Sequence, residues 1–336
     1  MSCFKIPDTL CNELTSLIRN FWWGQCNNER KMAWTSWEKL CTPKAHGGMG
    51  FKQLKQFNLA LLAKQGWRLQ TGSNSLLFLV FKAKYFPNSD FVHATMGRKP
   101  SFAWRSIMAA QDIVRRGLRW QVGNGKSIHI WQDRWLPTPS QYKVISPPSL
   151  LHPAARVEEL IDPVSREWKM ELIHRIFLPH EADTIGGIVL SSNLPMDLQI
   201  WAATTNGRFN VKSAYWLAME PTPGNGASST SDNRNMRKFW KYLWSINIPH
   251  KVKHFAWRAC KEILPTKENL KRRKVIENSD CDCCLSQEES SGHLFWSCSR
   301  SQEIWAISKL FSKIFDWPVF SFLDLLWFIV MVEQWD

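Results

Sequence analysis

Along most of the chain, apolar residues recur every three or four positions, the spacing that lines one face of an α-helix. Residues 7–21 carry Leu10, Leu14, Leu17, Ile18 and Phe21 on such a stripe, and residues 53–70 carry Leu54, Phe57, Leu61, Leu62 and Leu69. Leu76 to Tyr85 predicts a third helix, stopped by Pro87, and Ser101 to Arg116 a fourth, stopped by Gly117. Shorter helices are predicted over Ser213 to Met219, Arg234 to Trp244, His250 to Ile263 and Glu268 to Ile276, with Pro249 and Pro265 at the breaks. Proline breaks a helix because its ring clashes with the preceding turn and it has no N–H to donate. Phe320 to Val332 is apolar but interrupted by Asp324. A membrane span needs about 18 uninterrupted apolar residues, so this stretch reads as a buried helix.

The period shifts to two in one place. Trp120 to Trp131 alternates through Val122, Ile128 and Ile130 around Gly123-Asn-Gly125, which predicts a β-hairpin. Phe209-Asn-Val211, following Asn206-Gly207, predicts a second short strand. The expected fold class is mostly α with small β hairpins (α+β). Proline and glycine mark the joints. Pro137, Pro139, Pro147, Pro148 and Pro153 predict a loop over 136–155, and the run from Pro221 to Asp232 has the composition of a flexible linker.

Composition adds limits. A chain of 336 residues accommodates about two domains. With 44% apolar and 21% charged residues, wholesale disorder is excluded. Twenty tryptophans read as core fillers at helix seams. Nine cysteines, four of them scattered early at Cys3, Cys11, Cys26 and Cys41, do not form a secreted disulfide framework. The first 20 residues show no secretory signal, so an intracellular location, nucleus or cytoplasm, is expected.

Charge changes the functional picture. The net charge of +14 is segregated: +13 over residues 1–140, −3 over 141–233, +9 over 234–280 and −5 over 281–336. Two basic blocks around an acidic middle point to a polyanionic partner, RNA or DNA. The residues expected to meet phosphates are Lys251, Lys253, Arg258, Lys261, Lys271, Arg272, Arg273 and Lys274. Phe255 and Trp257 interleave with them, but helical spacing assigns both to the core. Lys271-Arg-Arg-Lys274 also has the form of a short nuclear-localisation patch. Gly47-Gly-Met-Gly50 and Gly123-Asn-Gly-Lys126 match neither nucleotide-binding glycine motif, so no small-molecule substrate is expected.

The sharpest chemistry lies at Cys281, Cys284, His293 and Cys298, spaced C-x2-C-x8-H-x4-C. Two thiolates three residues apart can face one ion from a tight turn, and a histidine and a third thiolate complete a tetrahedron of the structural zinc type. Four protein ligands leave no position for a reacting water. Cys283 leaves open a substitute for Cys281 or Cys284, or a free thiol.

At these residues the chain resembles the zinc-binding region of plant non-LTR retrotransposon reverse transcriptases. The likeness runs through Gly207-Arg-Phe-Asn-Val-Lys-Ser-Ala-Tyr215, Phe239-Trp-Lys-Tyr-Leu-Trp244, Ile248-Pro-His-Lys-Val-Lys253, Phe255-Ala-Trp-Arg258, Leu264-Pro-Thr266, Asn269-Leu-Lys-Arg-Arg273, the cysteine cluster and Trp305. Upstream, Gly47-Gly-Met-Gly-Phe51, Phe57-Asn-Leu-Ala-Leu-Leu-Ala-Lys-Gln65, Val122-Gly-Asn-Gly-Lys-Ser127 and Ile130-Trp-Gln-Asp-Arg-Trp-Leu-Pro137 resemble the segment that follows the polymerase. Met1-Ser-Cys-Phe4 and Phe21-Trp-Trp-Gly24 resemble the end of its thumb. The resemblance implies a thumb remnant over 1–35, a basic helical region over 36–140, an acidic segment over 141–205, the zinc-binding domain over 206–310 and an apolar helix over 311–336. It also implies a truncated, non-catalytic fragment. Reverse transcription needs paired carboxylates for two metal ions, and no Asp-Asp pair exists in the sequence. The rival expectations are a protein-interaction scaffold without nucleic acid, or part of a polymerase whose palm is missing here.

Overall fold

A computed structural model of the chain describes residues 2–25, 31–72, 75–138, 142–220, 232–308 and 320–332. The linker expected over Pro221 to Asp232 lies, except for its last residue, outside these, as does Cys26. The helices are α1 (Asp8–Trp22), α2 (Trp37–Cys41), α3 (Leu54–Gln70), α4 (Leu76–Tyr85), α5 (Phe102–Met108), α6 (Gln111–Gly117), α7 (Met170–Ile176), α8 (Pro179–Gly186), α9 (Val211–Met219), α10 (Asp232–Ser245), α11 (His250–Cys260), α12 (Lys267–Arg272), α13 (Ser299–Ala306) and α14 (Phe322–Trp327). The strands are β1 (Leu118–Gln121) and β2 (Leu198–Trp201). The fold is mostly α with one small antiparallel pair, as the sequence predicts. Helix starts follow side-chain capping: Ser75, Ser101, Asn210 and Thr266 each accept the N–H three residues on. No described helix is long and apolar enough to cross a membrane.

The chain divides into two compact units. One comprises Met1–Cys11 and Leu54–Asn225, the other Asn12–Gln53 and Gly226–Asp336. In the first, α3 packs against α4, α5, α6 and α9 around Leu62, Leu69, Phe91, Trp104, Trp201 and Tyr215. Trp104 stacks on Tyr85 with ring centres 4.6 Å apart. Gly66 makes room inside α3, since a Cβ there would lie 2.7 Å from the Phe91 ring. A second core gathers Ile128, Ile130, Trp135, Val157, Leu160 and Ile173 beside α7 and α8.

The hairpin expected over Trp120 to Trp131 does not form. β1 pairs instead with the distant β2, Leu118 opposite Trp201 and Gln121 opposite Leu198. The reason is a buried carboxylate. Asp197, at the start of β2, accepts the N–H groups of Gly123 at 2.8 Å, Gly125 at 2.9 Å and Ser127 at 2.8 Å. The Gly123–Ser127 loop is thus an anion-binding nest filled by the chain's own aspartate. Gly125 sits at φ +71°, where a side chain would also strike the Val157–Glu158 backbone. Phe209 to Val211 is not a strand either: Phe209 packs on Trp201 at 4.6 Å, and Asn210 caps α9. The helix expected over Ser101 to Arg116 breaks at Ala109–Ala110, where Gln111 Nε2 donates to the carbonyls of Phe91 and Ala94, both at 2.8 Å. On α1 the apolar stripe does not pack inward: Leu10, Leu17, Ile18 and Phe21 are exposed, while Cys11 is buried.

The second unit has its core at Trp37, Leu40, Cys41, Phe239, Trp240, Leu243, Trp257 and Cys260. Burial pushes the Cys41 and Cys260 thiols up to about 12, so both are inert packing groups. Trp257 Nε1 donates to Gly47 O at 3.0 Å, and Gly47 lies at φ +80° with Trp240 close against it. Residues Phe320 to Val332 form α14 and a π-turn (Phe328–Val332), with Leu325 and Phe328 buried, as the interrupted apolar stretch predicts.

Replacing the nest carboxylate tests the main departure from local sequence rules. Asp197→Ala leaves three N–H groups unpaired, and we expect the first unit to lose about 3 kcal/mol in urea unfolding. A loss below about 0.5 kcal/mol would mean that water replaces the carboxylate without cost.

Candidate metal centre

The centre is built from a loop, a π-turn and a helix start within the second unit. After α12, the chain enters a tight knuckle in which Cys281 N donates to Gln287 O at 2.9 Å and Leu285 N to Cys281 O at 2.8 Å. Leu285 takes the left-handed conformation, φ +55°, that closes this turn. His293 opens a π-turn (His293–Ser297), and Cys298 caps α13, its own N–H bound to His293 O at 2.9 Å.

These elements bring Cys281, Cys284, His293 and Cys298 together, with all four ligand atoms within 4.8 Å of one another. Cys281 Sγ and Cys298 Sγ are 3.9 Å apart. Cys284 Sγ lies 3.3 Å from His293 Nε2. Two sulfurs each about 2.3 Å from a tetrahedral ion stand about 3.8 Å apart, so the observed spacing fits a closed four-ligand site. Cys281, His293 and Cys298 are buried and Cys284 is partly so. Cys283 is exposed and lies outside the cluster.

The surroundings tune the donors. Hydrogen bonds from Ser286 and the nearby His293 imidazole push the Cys284 thiol down to about 6. Burial pushes Cys298 up, against the N–H groups of Arg300 and Ser301 at the α13 N-terminus. Gln287 Oε1 sits 2.9 Å from His293 Nδ1, and Ser297 Oγ 3.3 Å from it, so Nε2 faces the sulfurs. Gln287 is the orienting partner that spacing rules did not reveal, because nothing in a C-x2-C loop marks one glutamine as facing the imidazole. Two lysines of α12 fasten the knuckle: Lys267 Nζ donates to Asp280 O at 2.9 Å and pairs with Asp282, and Lys271 pairs with Glu288 at 3.1 Å.

The residues expected to meet phosphates separate in the structure. Lys251, Arg272, Arg273 and Lys274 are exposed. Lys253 is buried and donates to Trp244 O at 3.0 Å, at the end of α10. Arg258 lies over the Trp23 ring at 5.6 Å, and Lys261 over Trp240 at 4.7 Å. Lys271 is tied to Glu288 and Ser279. Of the interleaved aromatics, Trp257 is buried, whereas Phe255 is 44% exposed and meets Phe295 edge-on at 5.8 Å.

The sequence profile of the family described as "zinc-binding in reverse transcriptase" matches residues 209–305. An uncharacterized mitochondrial protein of Arabidopsis thaliana is 43% identical over 137 residues, covering 40% of this chain and 89% of that protein. A provisionally named ribonuclease H protein of Arabidopsis thaliana is 29% identical over 310 residues, covering 91% of this chain and 48% of that protein. The chain therefore spans about half the length of the second relative. No solved structure matches the chain.

If Gln287 holds the imidazole for a metal ion, Gln287→Ala should weaken metal affinity by roughly 10-fold to 100-fold in chelator competition. Cys283→Ser should leave that affinity unchanged. Equal behaviour of the two variants would refute the orienting role.

Proposed function

The chain belongs to the family of plant non-LTR retrotransposon reverse transcriptases, whose zinc-binding domain it carries, and we propose that it acts as a non-catalytic, zinc-stabilised module that binds RNA or DNA. Cys281, Cys284, His293 and Cys298 would hold a structural zinc ion, which draws the knuckle, the π-turn and α13 into one piece. Three sulfurs and one imidazole suit zinc, and a closed set of protein ligands suits a structural role. The absence of an Asp-Asp pair from the sequence supports a role other than polymerisation.

One observation carries the nucleic-acid reading. Exposed cations crowd one stretch of the second unit: Arg234, Arg237, Lys238 and Lys241 on α10, Lys251 on α11, then Arg272, Arg273 and Lys274. Among the described residues, no carboxylate lies within 4.0 Å of any of them. Cations without acidic partners are free to displace the counterions of a phosphate backbone.

Two measurements test the two halves. Purified protein should contain about one zinc per chain, and a Cys284→Ser, His293→Ala double variant should lose both the metal and cooperative unfolding of the second unit. Affinity for a 20-nucleotide RNA should fall steeply between about 50 and 200 mM salt, with the log–log slope reduced by about one unit in Lys274→Ala. No binding at the lowest salt would overturn the nucleic-acid half and leave a protein-interaction scaffold as the better reading.

A further inference from the structure

The second unit contains a cavity of about 950 Å³ that the metal centre does not use. Three indoles, Trp34, Trp37 and Trp257, line it. Four cations, Lys39, Lys261, Arg272 and Arg273, line it as well, among small polar residues. Two carboxylates, Glu38 and Glu262, also line it. Glu262 accepts a hydrogen bond from Ser291 Oγ at 2.5 Å, and burial raises its carboxyl above the usual range despite the opposing charge of Arg272. Glu38 is exposed, and among the described residues neither acid forms an ion pair with a cation of the cavity.

The cations are arranged in two distinct ways. Lys261 is crowded by protein atoms and repelled by Lys39, which together hold its ammonium below the ordinary lysine range. Two like charges held near one another are relieved by an anion between them. Arg273 is fixed differently. Its guanidinium lies 5.3 Å from the centre of the Trp34 ring and donates to Trp34 O at 2.8 Å. Cation and indole therefore form one rigid edge of the cavity. A ligand with a planar ring and an anionic group matches this lining: the ring stacks on an indole while the anion meets the lysines. A nucleotide has both parts, and base–aromatic stacking is tolerant of base identity.

The volume sets a further limit. A cavity of this size admits one or a few nucleotides and excludes a base-paired duplex. We propose that this cavity takes an unpaired nucleotide of a single-stranded nucleic acid, its phosphate between Lys39 and Lys261 and its base against Trp34. This rests on the nucleic-acid-binding reading above and adds to it a preference for single strands, lodged at a site separate from the exposed face of α10.

The test compares a 12-nucleotide oligouridine, a 12-nucleotide oligothymidine and a 12-base-pair RNA duplex on the full chain, at one salt concentration. The full chain should favour at least one single strand over the duplex by about tenfold. Trp34→Ala should bring that ratio close to one. So should Lys39→Ala, an exposed position where misfolding is not a concern, and thermal unfolding checks both variants. A Lys251→Ala, Lys274→Ala double variant, outside the cavity, should weaken all three ligands and keep the ratio. An advantage in either sugar series supports the proposal. Equal binding of strands and duplex by wild type, or a ratio that survives Lys39→Ala, overturns the cavity while leaving the broader reading intact. No binding of any of the three overturns both.

Discussion

The convergence of three thiols and one imidazole within 4.8 Å is the constraint on which the second unit turns. Such a group is uncomfortable without a cation, because sulfurs crowded together in a largely buried place cannot all ionise. With a cation, the same crowding becomes a clamp. The clamp reaches further than its own loop, since Lys267 and Lys271 tie α12 to the knuckle. Arg272 and Arg273 follow on the same short helix and its cap, and they form part of the cavity wall. The position of that wall therefore depends on whether the knuckle is closed. A six-residue helix has little stability of its own, so it takes its place from these contacts.

The Gly123–Ser127 loop carries a different lesson about anions. Its three converging N–H groups are the usual device for holding a phosphate. Here Asp197 already occupies them, which is why a glycine-rich loop coexists with no nucleotide motif. The internal carboxylate also fixes where β2 meets β1, since Asp197 directly precedes the strand. One residue thus closes a loop and sets the register of the small sheet.

Much of this was legible in sequence, and the failures have a common cause. Helix positions followed from apolar spacing and from prolines, as α3, α4 and α11 illustrate. The cluster of three thiols and one imidazole was legible because its chemistry is local: four donors within 18 residues need no knowledge of distant contacts. The hairpin expected at Trp120 to Trp131 failed because Asp197 lies some 70 residues away, and local patterning is blind to it. The stripe on α1 failed in another way. Helical spacing reveals that Leu10, Leu17 and Phe21 share a face, but not that the face is left exposed. The cavity was invisible for the first reason, since Trp34 and Arg273 are 239 residues apart.

Charge counting is most misleading where it looks most informative. Residues 234–280 carry a net +9, yet several of those charges are already engaged. Lys253 is buried and serves as a cap on α10, a task its long stem and single ammonium allow. Lys267 and Lys271 are paired with carboxylates within the knuckle. What remains uncompensated is the smaller set whose partners are neutral atoms, such as Arg272 on Asn269 and Arg273 on Trp34. A neutral partner orients a guanidinium without cancelling its charge. The basic block is therefore better understood as two populations, one that builds the unit and one that stays charged at its surface and in its cavity. On the proposed nucleic-acid reading, only the second would release counterions, so the salt slope should follow the cations without acidic partners rather than the net charge.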